Sequence, residues 1–150
     1  MLAVAKRIIL KSIEELSSHA QFALIFGGPQ GRSFTRFPQS GKPVEATPEN
    51  KKNAAIFLAY APIDGTPSVA IDLIAALRSA EQLSSSSRSI IYVGRGLITD
   101  DTPENVLQEV AGENRLHVKI SVIGIEPFAD GEEFLKQLAA QNGGTYTRVD

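Results

Sequence analysis

The chain has 150 residues, is 43% hydrophobic, and sets 15 basic side chains against 17 acidic ones. That length is one domain, large enough to bury a core without staples, and the balanced charge excludes a global pull toward nucleic acid or anionic membrane. Lack of cysteine excludes disulfides, thiolate metal sites and a cysteine nucleophile, and no apolar run approaches the ~20 residues that cross a bilayer, so membrane insertion is not expected.

Residues 2–17 read as a helix, with Leu2, Ala5, Ile9, Ile13 and Leu16 at helical spacing. Lys6 and Arg7 break the apolar run and no small-residue cleavage site follows, so the segment is read as part of the fold and not as a secretion signal. Val4, Ile8 and Leu10 widen its apolar arc, which predicts burial on two sides. QFALIFG, 21–27, is nearly all apolar, as in a strand covered on both faces. GPQGR turns the chain and SFTRF, 33–37, alternates, so the two runs predict a hairpin with an edge strand. The stretch 38–48 reads as a polar loop that ends on Thr47 as N-cap with Pro48 at the first helical position. The helix that follows should bury Ala54, Phe57, Leu58 and Ala61.

APIDGTP is a second loop. Thr66 or Ser68 can cap the next helix, which runs to about Leu83 and should bury Val69, Ala70, Leu73, Ile74 and Leu77. After SSSSR comes the strand IIYVG, and Thr102-Pro103-Glu104 opens another helix with an acid at its positive end. Val106, Leu107 and Val110 face inward there. HVKISVIGI, 117–125, is a strand. A helix from Asp130 buries Phe134, Leu135, Leu138 and Ala139, ends at Asn142-Gly143-Gly144, and gives way to TYTRV as a last strand. The order α-β-β-α-α-β-α-β-α-β predicts a doubly wound, Rossmann-like three-layer α/β sandwich, mostly parallel with one antiparallel edge strand.

The whole chain, read as a single domain over 1–150, resembles the von Willebrand factor type A (vWA) domain. The pieces that carry the likeness are QFALIFGG, KKNAAIFL, DGTPSVAIDLIAAL, IIYVGRG, VKISVIGIE and FLKQLAAQNGGTYTRV, in that order. The resemblance implies a metal-ion-dependent adhesion site (MIDAS) at the carboxyl edge of the sheet. It is built from an Asp-x-Ser-x-Ser run after the first strand, a threonine in a later loop, and an aspartate ending a central strand. Such oxygen ligands suit magnesium.

Carried over residue by residue, the threonine falls on Thr66 and the aspartate on Arg95, inside Gly94-Arg95-Gly96, while the Asp-x-Ser-x-Ser run has no counterpart. A guanidinium is always charged and only donates, so no metal is expected at this edge. The family's first strand, which lies between the QFALIFG-type and IIYVG-type strands, also has no counterpart, so the domain reads as N-terminally shortened. Three explanations stand: an upstream strand outside this sequence, a strand lent by another chain (a homodimer through the gap being one form), or direct pairing of the two flanking strands. An open gap is not expected, because it would leave rows of backbone groups unpaired; direct pairing or a partner's strand is preferred.

The resemblance implies a non-catalytic protein-interaction module with a degenerate, metal-free adhesion site and another protein as partner. Its ligand edge would hold Thr66, Arg95, Asp100, Asp101 and Glu126. Arg95 either receives a partner's carboxylate or pairs with Asp64, Asp100 or Asp101, the pairing being somewhat preferred. Thr66, Asp101 and Thr102 are more simply caps. One alternative is a fragment of a magnesium-dependent adhesion domain. Another is a small Rossmann-like enzyme binding a nucleotide or phosphate ester, but GGPQGRS lacks the spacing of a phosphate loop and is followed by a strand. His19 and His117 have no partners visible in sequence and read as ordinary residues.

Overall fold

The computed structural model describes residues 2–27, 34–61 and 68–150. In chain order the elements are α1 (Leu2–Glu14), β1 (Gln21–Phe22), β2 (Leu24–Gly27), β3 (Phe34–Phe37), β4 (Val44–Glu45), α2 (Pro48–Tyr60), α3 (Val69–Glu81), β5 (Ser89–Gly94), α4 (Pro103–Glu113), β6 (Lys119–Ile125), α5 (Ala129–Gln141) and β7 (Gly143–Val149).

The helix starts follow from side-chain chemistry. Thr47, Ser68 and Thr102 each accept a hydrogen bond from the backbone N–H three residues on, which satisfies one of the orphan donors of a first turn. Ser68 fills the capping role before α3; Thr66 lies outside the described residues. The last two predicted helices bury the expected side chains: Val106, Leu107 and Val110 in α4, and Phe134, Leu135, Leu138 and Ala139 in α5.

β5, β6 and β7 form a parallel sheet in that order. Their helices α3, α4 and α5 share one core with Ile120 and Val122 of β6, and with the partly buried Ile90, Tyr92 and Tyr146. Those strand residues alternate with Ile91, Val93, Ser121 and Ile123, so the three helices all lie on one face of this sheet. The other face stays more open: Ile91 is 51% exposed. An Arg78 that bonds both Glu81 and Glu113 ties α3 to α4.

A second core joins α1 and α2 to the first strands. Ile13, Phe22, Ala46, Ala54 and Leu58 are buried there, with Leu24, Phe26, Phe37 and Phe57 packed against them. Leu24 and Phe26 of β2 therefore point to α1 and α2. Ile25, between them, points the other way and lines a cleft with Ala75, Arg78 and Ser79 of α3. The helices thus lie on both sides of the strands, in the three-layer arrangement expected of a doubly wound fold.

Three expectations are corrected. Residues 21–27 are two strands, not one: β1 pairs antiparallel with β4, while β2 pairs antiparallel with β3. β4 falls in the stretch read as a polar loop, where Phe22 opposite Val44 supplies the burial that its own two residues lack. In α1 only Ile13 is buried, and Val4 and Ile8 stay half-exposed; the helix leans on one core, not two. Most consequential, β2 and β5 do not pair with each other among the described residues. Direct pairing of the two flanking strands, one of the two preferred explanations, is therefore not formed among the described residues.

α3 joins the two groups of strands. It packs against both β2 and β5. Both strand runs begin near its carboxyl end: Ser84 N–H bonds Gln21 Oε1 at 2.8 Å and Arg88 bonds Leu83 O at 3.3 Å.

Leu77, 1% exposed in the centre of α3, is expected to cost about 2–4 kcal/mol when cut to alanine. Urea unfolding should show the midpoint falling by that amount, with the exposed Ile91→Thr changing it by less than about 0.5 kcal/mol.

Candidate functional site

The carboxyl edge of the sheet is built by the loops after β5 and β6. β5 ends at Gly94, and the chain passes through Arg95 and Gly96 before α4. Gly96 has φ +77°, and a Cβ there would stand 2.5 Å from the carbonyl oxygen of Gly131 in α5. Only glycine fits both that conformation and that approach. Gly131 is constrained in the same way, since its Cβ would stand 2.7 Å from the Gly96 oxygen. The two glycines let the β5 loop lie directly on the first turn of α5.

Arg95 locks that contact. Its Nε donates to Glu126 O at 3.0 Å, its guanidinium carbon lies 4.0 Å from the centre of the Phe128 ring, and its carbonyl accepts from Phe128 N–H at 3.2 Å. Glu126 sits at φ +41° and its N–H bonds Val149 O at 2.7 Å. A left-handed glutamate is held there by these bonds on both sides. Arg95 therefore pairs neither with Asp100 nor with Asp101, and Asp64 lies outside the described residues. In place of Asp100 or Asp101, Arg95 has an aromatic face beneath it and a carbonyl bonded to its Nε. The sequence signal for this is Phe128, six residues ahead of the inward-facing stripe that begins at Phe134.

Asp101 is spent on capping. Its Oδ1 accepts from Thr102 N–H at 2.7 Å and from Asn105 Nδ2 at 2.9 Å, and Thr102 Oγ1 accepts from Asn105 N–H at 3.2 Å. The Asn105 and Thr102 bonds hold its carboxyl below the usual range. Asp100 is exposed. Thr66 lies outside the described residues, so its place at this edge is not described.

One residue that the sequence did not mark also belongs here. Asp72, in the first turn of α3, has Oδ1 buried with no hydrogen-bond partner. Burial and then the charge of Asp100 push its pKa up to about 7, and Asp72 in turn helps raise Tyr92, whose own burial is the larger cause. In sequence Asp72 looks like any acid complementing a helix N-terminus; only its position beneath β5 sets it apart.

Among the described residues Arg95 offers only N–H groups at this edge, Asp101 is bonded to its own helix, and no group of three or more acidic or histidine side chains converges.

A family model described as "von Willebrand factor type A domain" matches residues 3–148. The chain belongs to the von Willebrand factor type A family. Among solved structures it is similar to a von Willebrand factor type A protein from Catenulispora acidiphila, with 19% identity and a TM-score of 0.82. That match covers 99% of this chain and 34% of the other, so the vWA chain described here spans about a third of that protein. It is also similar to the conserved hypothetical protein BatB from Bacteroides thetaiotaomicron, with 18% identity, a TM-score of 0.70, and 99% and 80% of the two chains covered. An aerotolerance-related membrane protein from Bacteroides fragilis follows with 18% identity, a TM-score of 0.66, and 99% and 81% covered. At such identities the likeness establishes the fold. No curated protein sequence matches the chain.

Two outcomes test the geometry of this vWA edge. Gly96→Ala should destabilise the domain by about 2 kcal/mol or more, since a left-handed turn and a backbone contact are both violated; a thermal melt within about 1 °C of the parent would contradict the account. Asp72 gives a pH signature. Its folded pKa lies above its unfolded value, so the stability it contributes is complete below about pH 4, is lost as pH rises toward 7, and is gone above that. Asp72→Asn should therefore stabilise the domain at pH 8 by about 1 kcal/mol, allowing for solvent screening of a half-exposed carboxylate, with the gain vanishing near pH 4. Melting curves of both proteins across that range read it.

Proposed function

We propose that this vWA domain is a non-catalytic protein-interaction module whose carboxyl edge recognises its partner without a metal ion. The observation that carries the reading is the Arg95 clamp: a permanent cation, fixed by Glu126 O and the Phe128 ring, where the family resemblance calls for a cation-binding acid. A positive charge at that point opposes a metal ion. It also does what the metal would do, because the N–H groups of a guanidinium beyond Nε suit a partner carboxylate through charge-assisted bonds. Asp100 and Glu126 flank it and set the charge pattern that such a partner would have to match. Asp101 is engaged in capping α4, which keeps it from ligand duty.

The test is a thermal-shift series with magnesium, manganese and nucleotides. A site with a dissociation constant 100-fold below the ligand concentration adds about 2.7 kcal/mol, and hence roughly 5–10 °C in a domain of this size. The reading expects a shift below about 1 °C with each of them at about 10 mM. A rise of several degrees with magnesium would establish a metal site, and one with nucleotide alone would establish the enzyme alternative.

A further inference from the structure

α2 is apolar on more sides than its core contact uses. Residues 54–60, Ala-Ala-Ile-Phe-Leu-Ala-Tyr, carry no charge over nearly two turns. A surface helix buries one stripe against its own domain, so an uninterrupted apolar run leaves further apolar side chains on another face. Ala54 and Leu58 are buried in the core with Phe57 packed beside them, while Ile56 is 50% and Tyr60 84% exposed.

α1 turns that face into a groove. Lys51 Nζ donates to Glu14 O and Leu16 O, which puts the first turn of α2 at the carboxyl end of α1. Further along, Lys6, Arg7 and Leu10 of α1 line a cleft with Ala55, Leu58 and Ala59 of α2. The two helices therefore run antiparallel. Ala55 and Ala59 lie one turn apart on the floor, and their short side chains leave room above them.

The rim is basic. α1 and α2 hold five basic residues and two acidic ones, in a chain whose net charge is −2. Lys6 and Arg7 stand on one wall, and the exposed Lys52 lies one turn before Ala55 and Ile56 on the other helix. Among the described residues none of these three makes an ion pair, whereas Lys11, Arg78, Arg115, Lys136 and Arg148 all do. The two acids, Glu14 and Glu49, lie at the other end, in the last turn of α1 and the first turn of α2.

These walls select the occupant. Neither helix offers free backbone groups along its length, so an extended segment laid here would find no partner for its own N–H and C=O groups. A helix satisfies its backbone internally and presents apolar side chains three and four residues apart, which suits an apolar floor between two ridges. The unpaired cations call for acids beside that stripe.

We propose that the groove between α1 and α2 binds an acidic amphipathic helix of a partner protein. Its apolar stripe lies on Ala55 and Ala59, and its acids meet Lys6, Arg7 and Lys52. This surface shares no residue with the Arg95 edge, so either can fail alone.

The chain has no tryptophan, so a single tryptophan in a peptide reports without interference. The full chain is titrated into a synthetic helix of about 16 residues, long enough to span α1 and α2. Leucines and the tryptophan form its apolar stripe, glutamates flank them, and a side-chain lactam on the polar face holds it helical. Tryptophan emission should shift to the blue and saturate, with a dissociation constant below about 100 μM. A peptide with lysines in place of the glutamates should bind at least about tenfold more weakly. Lys6→Glu with Arg7→Glu should reverse that order of preference, with the melting temperature within about 2 °C of the parent. Ala59→Glu should weaken the glutamate peptide as well. The proposal is overturned by any of these results: no saturable binding, equal binding of the two peptides, or a preference unchanged by the charge reversal. A dimer by light scattering that excludes the peptide would give the groove to a second copy. Anionic phosphatidylglycerol vesicles that sediment the chain and displace the peptide would give it to a membrane surface. Either would also overturn the proposal.

Discussion

Side-chain packing on α3 joins the two halves of this domain. Its Leu73, Leu77 and Ala80 are buried in the core of the β5–β7 sheet, while Ala75, Arg78 and Ser79 meet the β2–β3 hairpin from the same helix. Ser79 Oγ also donates to Gly41 O at 3.1 Å. No backbone ladder crosses from β2 to β5 among the described residues. Among the described residues the two halves are thus joined by one helix that packs on both of its sides.

The carboxyl edge obeys a different constraint, the close approach of two backbones. Gly96 and Gly131 remove the two Cβ atoms that would keep the β5 loop off α5. Arg95 then stacks on Phe128 and bonds Glu126 O. Sequence, local conformation and charge converge here: glycines permit the contact, the contact brings Phe128 under the guanidinium, and the guanidinium sets the sign of the edge.

Much of the fold was legible because it rests on local chemistry. Thr47 and Thr102 before Pro-Glu announce helix starts, and the apolar stripes of α4 and α5 announce their buried faces. The vWA resemblance was legible from the order of its pieces. What escaped were features set by distant partners. β4 has two residues and no periodicity of its own, and exists because Phe22 lies opposite Val44. Asp72 and Arg88 gain their meaning from burial beside β5, which no local pattern encodes. The role of Arg95 depended on where Phe128 falls in space.

The direct check on this account is nuclear Overhauser contacts between backbone protons, recorded on the chain alone. β2 should show cross-strand contacts to β3 only, and β5 to β6 only, while side-chain contacts from α3 reach both. Cross-strand backbone contacts between Leu24–Gly27 and Ser89–Gly94 would mean that the sheet closes on itself, and the helix would then not be what holds the halves together.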